Sequence, residues 1–216
     1  MLEFFFAALV IGIAPGPDNL FVLAQSATYG ARLGFCIILG LCTGIALHTC
    51  LLVAGVSALI AASPTAFFVI QCLGAAYLLY LAYKSFQVRA GVVKVEASHS
   101  ERDAVKSNDA VRVVPSARSL YFRGVIMNLT NPKVILFILS LIPPAVRLER
   151  PIHPSLQMAI FGAEFIVATM IVFGSIALLA GSVKKYLLNS PKANRNLNWF
   201  SGCVFVMLAI ALFAVD

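Results

Sequence analysis

Charged residues are scarce in this chain of 216 residues, since only 12% of them are Asp, Glu, Lys or Arg. A soluble domain usually carries about 25% charged residues. Hydrophobic residues make up 61% of the sequence, and the mean hydropathy is +0.94. Several stretches also reach the roughly 20 apolar residues that a transmembrane helix needs. The composition therefore excludes an ordinary soluble domain and predicts an integral membrane protein in contact with the lipid bilayer.

Clustered metal ligands and catalytic motifs are also lacking. The three histidines are scattered, and none of the five cysteines forms a CxxC pair. The cysteines all lie in apolar stretches, where they serve as small packing residues. There is no nucleophile–base arrangement and no cofactor-binding motif. The sequence therefore predicts neither an enzyme nor a bound metal or cofactor.

Six apolar segments follow one another along the chain. Because lipid offers no hydrogen-bond partner to the backbone, each segment is expected to be helical, and the fold class is an all-α integral membrane protein. The segments run over residues 2–26, 35–62, 66–84, 120–143, 156–183 and 198–215.

The basic residues predict the orientation of these segments. The formal net charge is +7, which in a soluble protein would suggest a nucleic-acid partner. Here thirteen of the sixteen Lys and Arg residues fall on one side of a six-span topology, two fall on the other side, and Lys133 lies within a span. The positive-inside rule places the basic side in the cytoplasm, with both termini on the other side and no role for nucleic acid.

A mixed-charge stretch over residues 87–119 divides the chain into two halves. It has little apolar periodicity and is predicted to be a cytoplasmic loop of a single transmembrane domain, 1–216. Residues 1–86 and 120–216 then form two repeats of three spans each. Because three is an odd number, the second repeat enters the membrane with inverted polarity, and segment four corresponds to segment one.

Both corresponding segments are interrupted near their middle. Segment one carries Pro15, Gly16, Pro17, Asp18 and Asn19, and segment four carries Asn128, Asn131, Pro132 and Lys133. Paired interruptions at corresponding positions are the best sequence pointer to a transporter's binding site. The nine residues named here are therefore the predicted substrate-binding residues. A reading of the breaks as packing kinks alone is weaker, because a charge accompanies each of them.

The chemistry of the breaks suits a zwitterion. Proline has no N–H, so Pro15, Pro17 and Pro132 free the carbonyls of Ile11, Ile13 and Asn128. A new half-helix then begins, with Asp18 or Asn19 as the expected N-cap in segment one and Asn131 in segment four. A half-helix N-terminus favours a carboxylate, whereas the freed carbonyls and Asp18 favour an ammonium group. These are the two ends of an amino acid.

Four ionisable side chains lie within the segments, namely Asp18, His48, Lys133 and Glu164. Burial disfavours the charged form of a carboxyl, so Asp18 is expected to take up and release the coupled proton, unless it forms a permanent ion pair with Lys133. Glu164 is a second candidate for proton coupling, a partner for Lys133, or a residue close to the outer interface. His48 is expected to be a packing residue.

These motifs resemble the lysine exporter (LysE/RhtB) family of amino-acid exporters over nearly the whole chain. The resemblance is carried by the stretches Ala14-Pro15-Gly16-Pro17-Asp18-Asn19-Leu20, Gly74-Ala75-Ala76-Tyr77-Leu78-Leu79-Tyr80-Leu81 and Asn128-Leu129-Thr130-Asn131-Pro132-Lys133. It implies a multi-pass exporter of amino acids or close derivatives in the bacterial inner membrane, driven by proton antiport with alternating access.

Other functions stay open at the level of the sequence. Distant relatives include heavy-metal efflux permeases and membrane redox carriers, although clustered Cys or His ligands and a cysteine beside either break are lacking. A membrane scaffold that uses the 87–119 loop is a further alternative. The sequence does not identify the exported amino acid, the role of that loop or the oligomeric state, for which a homodimer is one option.

Overall fold

The computed structural model describes residues 2–14, 16–62, 64–87, 114–147, 149–180 and 191–214. Over these ranges the chain is helical and has no strand, which confirms the all-α class. The helices are α1 (Leu2–Ile13), α2 (Pro17–Tyr29), α3 (Ala31–Ala62), α4 (Pro64–Gln87), α5 (Ala117–Leu129), α6 (Pro132–Ala145), α7 (Pro154–Leu178) and α8 (Pro191–Ala214). Most of the 87–119 loop lies outside the described residues.

The two predicted breaks divide segments one and four into two helices each. The chain bends by 63° between α1 and α2 and by 56° between α5 and α6. In the described part of the chain, Ala31–Gly55 and Pro154–Leu178 are long and apolar enough to cross a membrane, and each bent pair would count as one further span. Asn198–Ile210 in α8 forms a shorter apolar stretch. The helices thus agree with a multi-pass membrane protein, whereas the arrangement of six spans stays a prediction.

A single glycine separates α2 from α3. Gly30 has a φ of +90°, a left-handed conformation that residues with a Cβ rarely adopt. Its N–H donates to the carbonyl of Ser26 and closes the last turn of α2. The connection is therefore shorter than the gap between the predicted segments 2–26 and 35–62, because Tyr29 ends one helix and Ala31 begins the next.

Helix α3 lies at the centre of the bundle and packs closely against α5 and α7. At the crossing with α5, a Cβ on Gly40 would clash with the carbonyl of Tyr121, and one on Gly124 would clash with the carbonyl of Ile37. Small residues allow two membrane helices to approach this closely. Gly40 of α3 therefore allows α5 to pack closely against it.

Two further helix pairs and an aromatic cluster contribute to the packing of the bundle. Helix α1 packs against α7, and α4 packs against α8. An aromatic cluster joins α1, α6 and α7: the ring centroid of Phe4 lies 4.9 Å from that of Phe161, and that of Phe137 lies 5.0 Å from that of Phe165. Because these side chains are almost fully buried, the cluster packs one half of each broken segment against α7.

Candidate functional site

The two breaks, which are 113 residues apart in sequence, meet in the interior of the bundle. Nδ2 of Asn131 donates a hydrogen bond of 2.6 Å to Oδ2 of Asp18. Both side chains are at most 4% exposed. A hydrogen bond to a carboxylate is shorter and stronger than one between neutral groups. The bond therefore joins the start of α2 to the start of α6.

A second contact also runs from segment four to segment one, from α6 to the end of α1. Nζ of Lys133 donates to the carbonyl oxygens of Ile11 at 3.1 Å and of Ala14 at 3.0 Å. The carbonyl of Ile11 needs such a partner, because Pro15 has no N–H to offer it. Pro15 itself lies outside the described residues. Lys133 thus supplies the hydrogen-bond donor that proline lacks. The position is buried, and a carbonyl left unpaired there would be costly.

The break between α5 and α6 has the predicted cap. Asn131 is the N-cap of α6, its side chain accepts from the N–H of Lys133 at 3.0 Å, and Pro132 occupies the first turn. The carbonyl of Asn128, which Pro132 cannot pair, accepts from the N–H of Asn131 at 3.1 Å and lies 3.5 Å from Nε2 of His48. His48 therefore contacts the break rather than acting only as a packing residue.

The break between α1 and α2 is capped differently from the prediction. The N-cap is Gly16, whose backbone is extended and which has no side chain to cap the helix. Asp18 and Asn19 instead lie in the first turn of α2, so the expectation that one of them is the N-cap is wrong. Nδ2 of Asn19 reaches back to the carbonyl of Gly12 at 2.7 Å. A Cβ on Gly16 would lie 3.1 Å from Nζ of Lys133, so the glycine leaves room for the ammonium group.

A pocket of about 340 Å³ of empty space opens beside these contacts. Its polar side chains are those of Asp18, Asn128, Lys133 and Thr169. The other lining residues are apolar, namely Ile11, Gly12, Leu41, Ile45, Val134, Phe165 and Phe173.

Two acceptor atoms among the lining residues have no hydrogen-bond partner in the described part of the chain. They are Oδ1 of Asp18 and Oδ1 of Asn128, and both side chains are at most 3% exposed. A buried acceptor without a partner is unfavourable by about 1–3 kcal/mol. The pocket is therefore suited to a ligand that donates hydrogen bonds, and the carboxylate favours a cationic donor.

The predicted site residues differ in how they relate to this pocket. Asp18, Asn128 and Lys133 line it, and Asn131 holds Asp18. Pro17 and Pro132 are exposed in the first turns of their helices, where they shape the breaks. Among the described contacts, the ammonium of Lys133 bonds to backbone carbonyls rather than forming a direct ion pair with Asp18.

Glu164 is not among the residues that line the pocket. It lies half-buried in α7, and its Oε2 has no hydrogen-bond partner in the described part of the chain. Its predicted roles in proton coupling and in pairing with Lys133 stay predictions.

Five pocket residues on α3 and α7 were not predicted. Leu41 and Ile45 lie one turn apart on α3, and Phe165, Thr169 and Phe173 lie at successive turns of α7. In the sequence of a membrane span, an apolar residue that faces a pocket looks the same as one that faces a neighbouring helix or lipid. Thr169 is the exception, since a hydroxyl within an apolar span is a polar group and could have signalled a polar contact.

Among the described residues, no group of three or more His, Cys, Asp and Glu side chains could hold a metal ion. All five cysteines are free thiols, and they lie on α3, α4 and α8.

Comparison with known proteins agrees with this architecture. A family model described as LysE type translocator matches residues 9–215. An uncharacterized membrane protein of Vibrio cholerae is 30% identical and aligns over 95% of this chain and 92% of its own length. A membrane protein of Bacillus subtilis is 28% identical over 97% of this chain and 96% of its own length.

A further relative has a functional name. The homoserine/homoserine lactone efflux protein of Salmonella typhi is 28% identical over 97% of this chain and 96% of its own length. No solved structure matches the chain significantly. Because the family model spans nearly every residue, including both breaks, this all-α membrane protein belongs to the LysE type translocator family.

Proposed function

We propose that the protein is a secondary active exporter of amino acids or close derivatives, which exchanges them for protons across the bacterial cytoplasmic membrane. The observation that carries the proposal is the buried polar site that both breaks build in an apolar bundle. The side chains of Asp18, Asn128 and Lys133 converge on one pocket there. Ionisable residues are energetically costly in such an environment, and those that occur there usually serve a function.

The pocket supports binding of a zwitterion. The two unpartnered acceptors, Oδ1 of Asp18 and Oδ1 of Asn128, suit the substrate's ammonium group. Lysine has three N–H donors, and the carbonyls of Ile11 and Ala14 accept two hydrogen bonds from Lys133. The third donor is assigned to the substrate's carboxylate. This differs from the expectation that freed carbonyls would bind the ammonium, because Lys133 already bonds to one of them.

The packing of the helices supports the two inverted repeats. In that scheme α1 with α2 corresponds to α5 with α6, α3 corresponds to α7, and α4 corresponds to α8. The contact of α3 with α5 then has its counterpart in the contact of α7 with α1. The contact of α3 with α7 and the contact of α4 with α8 each join two corresponding helices, as a two-fold relation requires. A two-fold relation of this kind favours alternating access around a fixed central site.

Proton coupling is assigned to Asp18. Ionised Asp18 accepts the hydrogen bond from Asn131 and binds the substrate's ammonium group, whereas protonated Asp18 has lost the charge that attracts it. Competition between proton and ammonium for one carboxylate gives antiport. Glu164 remains the alternative carrier of the proton. With the basic loops in the cytoplasm, both termini lie on the non-cytoplasmic side.

Homoserine is the first substrate to test, because a relative that aligns over almost the whole chain is named as its efflux protein. The purified protein is reconstituted into proteoliposomes that are preloaded with homoserine, and exchange of labelled homoserine is measured with and without an imposed proton gradient. We expect exchange in both conditions and accumulation against the concentration gradient only with the proton gradient. Exchange of no amino acid in a panel of neutral, basic and acidic ones would refute the proposal.

A further inference from the structure

The apolar side of the pocket carries information about the substrate's side chain, if the proposed function is correct. Most of its lining comes from α3 and α7, and Ile11, Gly12 and Val134 beside the breaks complete it. Leu41 and Ile45 lie on one face of α3, since residues four apart in a helix share a face. Phe165, Thr169 and Phe173 form one face of α7 in the same way. We call these five residues the side-chain wall.

The lining of the pocket carries one negative and one positive side chain and so has no net charge. Asp18 and Lys133 are the charged residues of its lining, and they have opposite signs. The ammonium and carboxylate groups of the substrate use both of them. A charged substrate side chain against the side-chain wall would be a buried charge without a partner, which is strongly unfavourable.

Thr169 is the one polar residue of the wall. It is 3% exposed, and it lines the pocket on the same face of α7 as Phe165 and Phe173. Thr49 on α3 lies outside the pocket, and its hydroxyl donates to the carbonyl of Ile45, one turn earlier, at 2.8 Å. The hydroxyl of Thr169 is thus the polar side-chain group of the wall that can bond to a hydroxyl of a ligand in the pocket.

The geometry points to neutral amino acids as the substrates, with Thr169 as the residue that recognises a hydroxyl on their side chain. Lysine and glutamate are excluded by the lack of a counter-charge in the wall. Among neutral substrates the wall discriminates only weakly, because an apolar pocket rejects an added hydroxyl poorly. A hydroxyl that meets Thr169 gains one hydrogen bond relative to the same side chain without it.

The test is counterflow in proteoliposomes with four labelled amino acids, namely homoserine, 2-aminobutyrate, lysine and glutamate. Homoserine and 2-aminobutyrate differ chiefly in the terminal hydroxyl. For the wild-type protein we expect kcat/KM for lysine and glutamate to be at least about 100-fold lower than for both neutral substrates. Comparable exchange of lysine or glutamate with homoserine would overturn the inference while leaving the export function in place.

A variant pair tests Thr169 itself. Thr169→Val keeps the volume of the side chain and is expected to lower kcat/KM for homoserine about three- to tenfold, with little change for 2-aminobutyrate. Thr49→Val, which removes a buried hydroxyl outside the pocket, is the control and should change neither. An equal effect of Thr169→Val on both neutral substrates would overturn the role of Thr169. Exchange of none of the four substrates would overturn the export function as well, which is a different result from exchange without discrimination.

Discussion

Asn131 and Asp18 join the two broken segments through a hydrogen bond of 2.6 Å between Nδ2 and Oδ2. The same asparagine caps α6 through its Oδ1, so one side chain both starts a half-helix and holds the carboxylate of the other half. Any movement that separates the breaks must break this bond. The pair is therefore placed to link the state of the carboxylate to the arrangement of the two repeats.

The first prediction separates the two functions of Asn131. Asn131→Ser retains a good N-cap residue but is too short to bond to Asp18, whereas Asn131→Ala loses both contacts. Both variants should lower homoserine exchange strongly. Thermal unfolding in detergent should show an additional loss for Asn131→Ala, since a missing N-cap is destabilising by about 1 kcal/mol. Wild-type exchange in Asn131→Ser would contradict the role assigned to the bond.

The second prediction concerns the coupled proton. Asp18→Asn keeps the size of the side chain and one oxygen that can accept from Asn131, but it cannot exchange a proton. We expect this variant to lose accumulation driven by the proton gradient, and any residual exchange to be independent of that gradient. Glu164→Gln is the matched control, because it neutralises the other intramembrane carboxyl. Full proton dependence in Asp18→Asn would rule out its coupling role, and loss of coupling in Glu164→Gln alone would assign the proton to Glu164.

The third prediction concerns Lys133. Lys133→Met keeps an apolar stem but leaves the carbonyls of Ile11 and Ala14 without their buried donor. Each lost partner is unfavourable by about 1–3 kcal/mol, so the variant should unfold at a clearly lower temperature and lose exchange. Lys84→Met is the control: Lys84 is an exposed residue whose ammonium lies 5.4 Å from the ring centre of Tyr80. Equal stability of the two variants would show that the lysine does not hold the break.

The fourth prediction uses two glycines of α3. A Cβ on Gly44 would lie 2.6 Å from Oδ1 of Asn128, so Gly44→Ala must displace this pocket residue. We expect homoserine exchange to fall about tenfold or more, as overpacking is typically unfavourable by about 1–3 kcal/mol. A Cβ on Gly55 would meet nothing within 4 Å. Gly55→Ala should therefore leave exchange unchanged and stabilise the helix slightly. Equal exchange in both variants would contradict the placement of Asn128.

The broken segments were predictable because their signal is covalent. Proline lacks an N–H in any environment, so Pro132 and the residues around it predict an interrupted helix and an N-cap at Asn131 without any knowledge of neighbours. The cap at Gly16 was mispredicted for a related reason. Asp18 and Asn19 are both good N-caps by residue type, and only the local backbone conformation decides that the helix begins before them.

What the sequence determined by itself was the class of protein and the location of its polar centre. A chain of apolar composition must be helical in lipid. Two proline breaks that each carry a charge indicate where backbone groups lack their helical hydrogen-bond partners. Only the tertiary structure decided which groups meet there. It paired Lys133 with the backbone of α1 and Asn131 with Asp18, and it brought Thr169 of α7 to the same pocket. These contacts depend on how helices distant in sequence pack together, and the pattern of apolar residues along one span does not specify which of its faces meets which neighbour.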